Sequence, residues 1–220
     1  MELSSATAGG NYTPAPSGMH RAICYRFIDL GTQESEYQGE TKHLRKILLS
    51  FELVDEIMEY EIDGEKRSGP FSVHQRFTWS MHEKSKLRPF LESWRGKPFS
   101  ETDLAAGGFD AKNLVGVGCY LNVIHNEANG RTYANISSAN PLPKKAAEGM
   151  PGAANDLVYL ALEKDRFDWD AFNALHENIR ETIQRSPEYR DIAGTGHSDD
   201  GNNPPAPPPA DADMDEEIPF

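Results

Sequence analysis

Two long runs of alternating residues around a tight turn constrain the fold of this chain more than any other feature. The first run covers residues 42–54 and continues to residue 62, with one apolar face formed by Ile47, Leu49, Phe51 and Leu53. The second run, residues 71–81, alternates in the same way. Between the two runs lies Asp63-Gly64, and an Asp-Gly pair in this position is a strong signal for a two-residue hairpin turn. The pattern therefore predicts two long antiparallel strands that share an apolar face.

Three further alternating runs complete a set of five predicted strands. The first strand is predicted at residues 19–30, and the polar run 31–41, which contains two glycines, is predicted to be a flexible loop. A helix is predicted after the third strand, between Ser85, which can cap it, and Gly96, which can end it. Its buried face would carry Leu87, Leu91 and Trp94. The fourth and fifth strands are predicted at residues 117–124 and 131–138.

The predicted order, β-β-β-α-β-β, is that of an OB-fold, a five-stranded barrel. The fold class is accordingly mainly β, with a C-terminal helical extension. Four parts are predicted along the chain: a flexible arm, the OB-fold domain, a linker with a helical extension packed on the barrel, and a disordered acidic tail, at residues 1–17, 18–140, 141–193 and 194–220. Within the third part, residues 157–162 predict a short extra strand. One helix is predicted between Asp168 and Ser186-Pro187, because apolar residues recur there at helical spacing.

Composition indicates a soluble protein without a disulfide framework. No apolar run approaches the roughly 18 residues of a membrane span, and the N-terminal residues do not show the pattern of a secretory signal. Cys24 and Cys119 lie in apolar stretches without a metal-ligand spacing nearby. We therefore expect buried, reduced thiols in a cytoplasmic protein. No cofactor is predicted.

The net charge of −13 does not exclude a nucleic-acid partner. From Gly194 onward there are seven acidic residues and no Lys or Arg, so residues 1–193 carry only −6. Affinity for phosphates depends on a local basic groove rather than on the charge of the whole chain. The negative net charge of the whole chain therefore does not decide whether the protein binds nucleic acid.

Residues 211–220 place five carboxylates directly before Ile218-Pro219-Phe220. This ending resembles the acidic tip of bacterial single-stranded DNA-binding proteins. A generic acidic tail is the alternative interpretation. Together with the OB-like order of residues 18–140, the ending makes the chain similar to bacteriophage single-stranded DNA-binding proteins.

The resemblance implies a role in DNA replication, recombination and repair in the bacterial host cytoplasm. It also implies that the tip recruits partner proteins through Asp213, Asp215, Glu216, Glu217, Ile218, Pro219 and Phe220. The state of oligomerisation is left open, and no membrane contact is expected. Because the tail is tethered to the barrel, its carboxylates are expected to compete weakly with DNA for a basic groove.

A sequence-tolerant binder of single strands needs cations along a groove and aromatic rings on which bases stack. The strand faces opposite the predicted core, with the adjoining loops, supply such residues. The predicted DNA-binding set is Arg26, His43, Arg45, Lys46, His74, Arg76, Tyr120, Arg131, Tyr133, Lys144 and Lys145. Exposed strand faces carry polar residues in any case, which is the structural alternative. Trp79 shares the parity of Phe71 and Phe77 and is predicted in the core instead.

Two other functions remain open from the sequence. A magnesium-dependent nuclease could use Asp55, Glu56 and Glu59, although these carboxylates surround a hairpin without an accompanying His or Lys catalyst and are better interpreted as a solvated loop. A protein-binding adaptor without DNA affinity is the second alternative. We favour a binding protein that is not an enzyme, since no phosphate loop, Ser/His/Asp pattern or Cys/His metal set appears in the sequence.

Overall fold

The computed structural model describes residues 13–37, 40–62, 64–105 and 109–194. In this part the chain is mainly β, and one antiparallel sheet curls strongly into a half-barrel that is compatible with an OB-like fold. The strands are β1 (Gly18–Tyr37), β2 (Glu40–Ile62), β3 (Glu65–Thr78), β4 (Gly118–Ala128), β5 (Arg131–Asn140) and β6 (Val158–Leu160). Their order in the sheet is β3-β2-β1-β4-β5, and β6 pairs in parallel with the middle of β1.

Short helices follow β3 and β5. They are α1 (Leu87–Arg95), α2 (Glu101–Leu104), a 3-10 helix (Ala111–Leu114), α3 (Lys144–Glu148), α4 (Trp169–Asn173), α5 (Glu177–Gln184) and α6 (Pro187–Ala193). The helix predicted after the third strand is confirmed as α1, whose residues Leu87, Leu91 and Trp94 are buried. It ends at Gly96, which has a φ of 71°, a conformation that glycine adopts without steric cost. The predicted extra strand is confirmed as β6.

The flexible loop predicted at residues 31–41 is wrong over most of its length. β1 continues to Tyr37 and β2 begins at Glu40, so residues 31–37 and 40–45 form a two-stranded antiparallel extension, which we call the β1–β2 arm. Backbone hydrogen bonds hold a ladder together whatever the polarity of its side chains. The polar composition of residues 31–41 was therefore compatible with paired strands as well as with a loop.

The single helix predicted between Asp168 and Ser186-Pro187 is also wrong, because the segment forms three helices. The His176 ring accepts a hydrogen bond from the Asn178 backbone N–H and starts α5, and the Ser186 hydroxyl accepts one from Tyr189 and starts α6. Pro187 opens α6 at a position where a backbone N–H is not needed. Ser186-Pro187 is therefore the start of a helix rather than the end of one.

Two apolar clusters hold the described part together. The inner core lies between the curled sheet and α1 and includes Phe27, Phe51, Phe77, Trp94 and Leu121, with Trp79 packed against it as predicted. Cys24 and Cys119 are both buried there as free thiols, and burial raises the pKa of the Cys24 thiol to about 12.

The second cluster lies on the other side of β1 and β2. Ile28, Leu30 and Leu48 meet apolar residues from the C-terminal elements, namely Leu160, Leu162, Phe172, Leu175, Ile183 and Ile192. Burial of each such side chain contributes about 1.5–3 kcal/mol. The C-terminal helices are thereby fixed against the outside of the half-barrel.

Candidate nucleic-acid interface

Four of the predicted DNA-binding residues lie on the same face of three neighbouring strands. Across β1, β2 and β3, Arg26 is opposite Ser50, and Ser50 is opposite His74. On the same face Leu48 pairs with Arg76, and Lys46 pairs with Thr78. Because Ile47, Leu49 and Phe51 point into the inner core, alternation places these residues on the outer face of the sheet.

One end of this outer face is covered. Glu52 is buried, and its carboxylate accepts hydrogen bonds from the backbone N–H groups of Ala154 (2.7 Å) and Asn155 (3.0 Å) and from the Asn155 side-chain amide (2.6 Å). Ser50, the next outward residue of β2, is also buried. The connection after β5 thus closes the surface at this end and leaves no space for a ligand on Glu52.

The other end of the outer face opens into a groove of about 590 Å³ between the β1–β2 arm, β3 and the helices α5 and α6. Five basic side chains line it, and we call it the basic groove: His43, Lys46, Arg76, Arg185 and Arg190. Among its described lining residues Glu34 is the one carboxylate, and its oxygen lies 4.0 Å from the His43 ring. Excess positive charge in a concave surface attracts a polyanion such as a phosphate backbone.

Hydrogen bonds between the arm and the helices fix the walls of the basic groove. The Glu188 carboxylate on α6 accepts from the Thr32 backbone N–H (2.8 Å) and from the Thr32 hydroxyl (2.6 Å). Gln33 donates from its side chain to the carbonyl of Thr182 (2.9 Å). Burial would raise the pKa of the Glu188 carboxyl, but the hydrogen bonds from Thr32 and the charge of Arg45 hold it below its usual value.

Gly31 allows the arm to approach α6 this closely. A Cβ atom at Gly31 would lie 2.4 Å from the Cβ of Ser186, and the φ of 72° is itself unfavourable for other residues. The glycine that suggested flexibility in the sequence therefore permits a tight packing contact.

Arg45, which was predicted to bind DNA, is instead engaged in an ion pair within the protein. Its guanidinium forms an ion pair with the buried Asp29, which also accepts from the backbone N–H of Gly31 (3.0 Å) and of Leu162 (3.3 Å). The hydrogen bond to Asp29 raises the pKa of Arg45. This pair connects the base of the arm to the segment after β6.

The remaining predicted residues lie away from the basic groove. Tyr120, Arg131 and Tyr133 are on β4 and β5, which β1 separates from β2 and β3. Lys144 and Lys145 are exposed at the start of α3. Arg26 is half-buried, with its guanidinium carbon 5.2 Å from the centre of the Tyr25 ring. The structure thus brings together His43, Lys46 and Arg76 in the groove. Arg26 and His74 share the outer face with them but do not line the groove, and the other predicted residues lie elsewhere.

Arg185 and Arg190 were missed by the sequence reasoning. They flank the short segment that starts α6, and both are exposed. The only available signal was that two arginines bracket a helix-capping Ser-Pro pair. That signal identifies the two arginines as groove residues only when the helices are known to pack beside the β1–β2 arm.

The carboxylates proposed for a nuclease have other contacts. Arg21 donates to both oxygens of Asp55, at 2.8 and 2.6 Å, and the ring of His20 lies 3.1 Å from Glu56. Glu59 is exposed on β2. Within the ranges that the structure describes, no group of three or more His, Cys, Asp and Glu residues is arranged to hold a metal ion.

The predicted partner-binding residues, from Asp213 to Phe220, lie outside the described residues. Among the helices that the structure describes, none has the length and apolar character needed to cross a membrane. Comparison of the sequence with protein-family models and with curated proteins gives no match.

Proposed function

We propose that this protein binds single-stranded DNA with little sequence preference and without cleaving it. The observation that carries the proposal is the basic groove, in which Lys46 and Arg76 from the sheet meet Arg185 and Arg190 from the helices. Two carboxylates oppose these cations: Glu34 in the lining, and Glu181, which lies 3.8 Å from Arg185. Cations along a groove attract phosphates without reading base edges. Because the arm and the helices bound the groove on two sides, it suits a flexible single strand better than a rigid duplex.

We also propose that the half-barrel is a five-stranded OB-fold. The strand order, the helix between β3 and β4, and the contact between β3 and β5 support this assignment. OB-folds commonly bind oligonucleotides beside the loop that joins their first two strands, and here that connection is the β1–β2 arm. The extension at residues 141–193 adds the second wall of the groove.

The binding proposal is tested by titrating the protein into a fluorescent oligo-dT strand and following its anisotropy. Saturable binding is expected, together with weaker binding to a duplex of the same length. Lys97→Ala is a matched control, since Lys97 is exposed and does not line the groove. Absence of binding would contradict the proposal. Cleavage of the labelled strand in the presence of Mg²⁺ would favour the nuclease instead.

We propose that the acidic tip recruits replication and recombination proteins. The support is the sequence of residues 211–220, in which acidic residues precede an aromatic side chain that a pocket beside a basic cluster can hold. Phe220→Ala should leave oligo-dT affinity unchanged and abolish capture of partner proteins from a host lysate. If the same proteins are captured with and without the Phe220 ring, the tail is a generic acidic spacer.

A further inference from the structure

We propose that Trp169, on the C-terminal helical extension, is a stacking platform for an unpaired base of the strand that occupies the basic groove. The inference rests on the proposed function and places a nucleobase contact outside the barrel. The chain has three tryptophans. Trp94 is buried and Trp79 packs edge-on against Phe27 (5.4 Å between ring centres), whereas Trp169 is 46% exposed.

Neighbouring rings hold Trp169 in place. Its ring centre lies 4.8 Å from that of Phe167 and 6.2 Å from those of Phe172 and Tyr189. Phe172 belongs to the buried cluster that fixes the extension to β1. These contacts are steep, with interplanar angles of 81°, 88° and 70°, and a large flat ring that its neighbours hold in place loses little conformational freedom when a base stacks on it.

The platform is contiguous with the basic groove through α6. Three consecutive residues of this helix have three different environments: Glu188 binds Thr32 of the arm, Tyr189 packs in the ring cluster, and Arg190 lines the groove. Successive residues of a helix point about 100° apart, so three consecutive side chains in one turn can reach these three environments. Arg190, which lines the groove, is therefore adjacent in the helix to Tyr189, whose ring contacts Trp169, and we place the continuation of the bound strand over this ring cluster.

The charges around the platform indicate a base contact rather than a phosphate contact. Asp168 and Asp170 flank Trp169, and Asp168 is engaged in capping α4. Carboxylates repel phosphates but do not oppose stacking of a neutral base. The contribution of Trp169 should therefore be independent of salt, in contrast to that of Arg190, whose removal should lower the salt dependence of binding by about 0.7.

Two variants of Trp169 test this proposal in the full-length protein. Binding of oligo-dT should quench the intrinsic tryptophan fluorescence of the unaltered protein, because Trp169 is the exposed emitter. Trp169→Phe should abolish the quenching and keep most of the affinity measured by anisotropy, since phenylalanine also stacks. Trp169→Ala should weaken binding by about tenfold, with an unchanged slope of log affinity against log salt.

Undiminished quenching in Trp169→Phe would overturn the proposal, and so would unaltered affinity in Trp169→Ala. Circular dichroism of both variants checks that the extension remains folded, and the phenylalanine variant keeps the test decisive if the alanine variant loosens α4. Either of these two outcomes would refute stacking on Trp169 without refuting DNA binding in the basic groove. Failure of the unaltered protein to bind oligo-dT would instead refute the proposed function itself.

Discussion

The outer face of β1, β2 and β3 has two ends that look alike in the sequence and differ in the structure. At one end Glu52 is buried beneath residues 154 and 155, and its carboxylate accepts hydrogen bonds from their backbone N–H groups. At the other end Lys46 and Arg76 line an open groove. Both ends belong to the same alternating strands, and both carry charged residues on the side away from the inner core.

The difference shows that the segment packed above a charged residue on the outer strand face decides whether the residue stabilises the fold or lines a binding site. Glu52 lies where the chain returns after β5 and supplies backbone N–H groups as partners. Lys46 and Arg76 lie where the returning chain supplies more cations, Arg185 and Arg190. The first arrangement stabilises the protein, and the second creates a site that can attract an anion.

The largest expected effect is at the covered end. Glu52→Ala removes a buried carboxylate that accepts three hydrogen bonds, which should lower the free energy of unfolding by about 3 kcal/mol. Urea denaturation measures this loss. The folded variant should still bind oligo-dT normally. A loss below about 1 kcal/mol would mean that water replaces the carboxylate at this end.

At the open end the effect should be on binding rather than on stability. Arg76→Ala and Arg190→Ala should each weaken oligo-dT binding several-fold while changing the free energy of unfolding by less than about 0.5 kcal/mol. Both side chains are exposed, so their removal leaves no cavity. Anisotropy titrations beside Lys97→Ala separate a groove effect from a general loss of positive charge. Equal affinities for all three variants would show that the groove does not bind DNA.

A smaller effect should appear when the walls of the groove are loosened by acid. The folded-state pKa of Glu188 is lowered, so its contribution to stability is complete above the ordinary value of about 4.3 and disappears as the pH falls through the lower folded value. Glu188→Gln should reduce stability at neutral pH and flatten the decline that begins as the pH falls below about 5. An identical acid profile in both proteins would contradict this account of the arm contact.

The smallest effect is expected on the far side of β1. Tyr133→Ala should weaken oligo-dT binding less than Arg76→Ala does, because Tyr133 is on β5 and outside the groove. The same anisotropy titration compares the two variants. A larger loss for Tyr133→Ala would move the binding surface to β4 and β5, where Tyr120 and Arg131 also lie.

Much of the fold could be predicted because alternation is a local property. The strands on either side of Gly64, the helix ending at Gly96 and the extra strand at Val158–Leu160 all follow from neighbouring residues. The errors arose where distant contacts decide the structure. The arm packs against α6 because Gly31 leaves room for Ser186, and the predicted single helix is interrupted by the caps His176 and Ser186.

The candidate site was predictable only in part for the same reason. Lys46 and Arg76 follow from strand parity, and His43 from its place at the end of the predicted first loop. Arg45 has the same charge, but a buried partner, Asp29, sixteen residues earlier holds its guanidinium. Arg185 and Arg190 come from helices whose docking depends on the second apolar cluster, which no local pattern in β1 or β2 reveals.

The most direct test of the groove as a phosphate-binding surface is the salt dependence of oligo-dT affinity for the unaltered protein and for the double variant Arg76→Ala/Arg190→Ala. Each phosphate contact to a single strand contributes about 0.7 to the slope of log affinity against log salt. We predict a slope that is shallower by about 1.4 in the double variant. An unchanged slope, with both proteins folded, would contradict it.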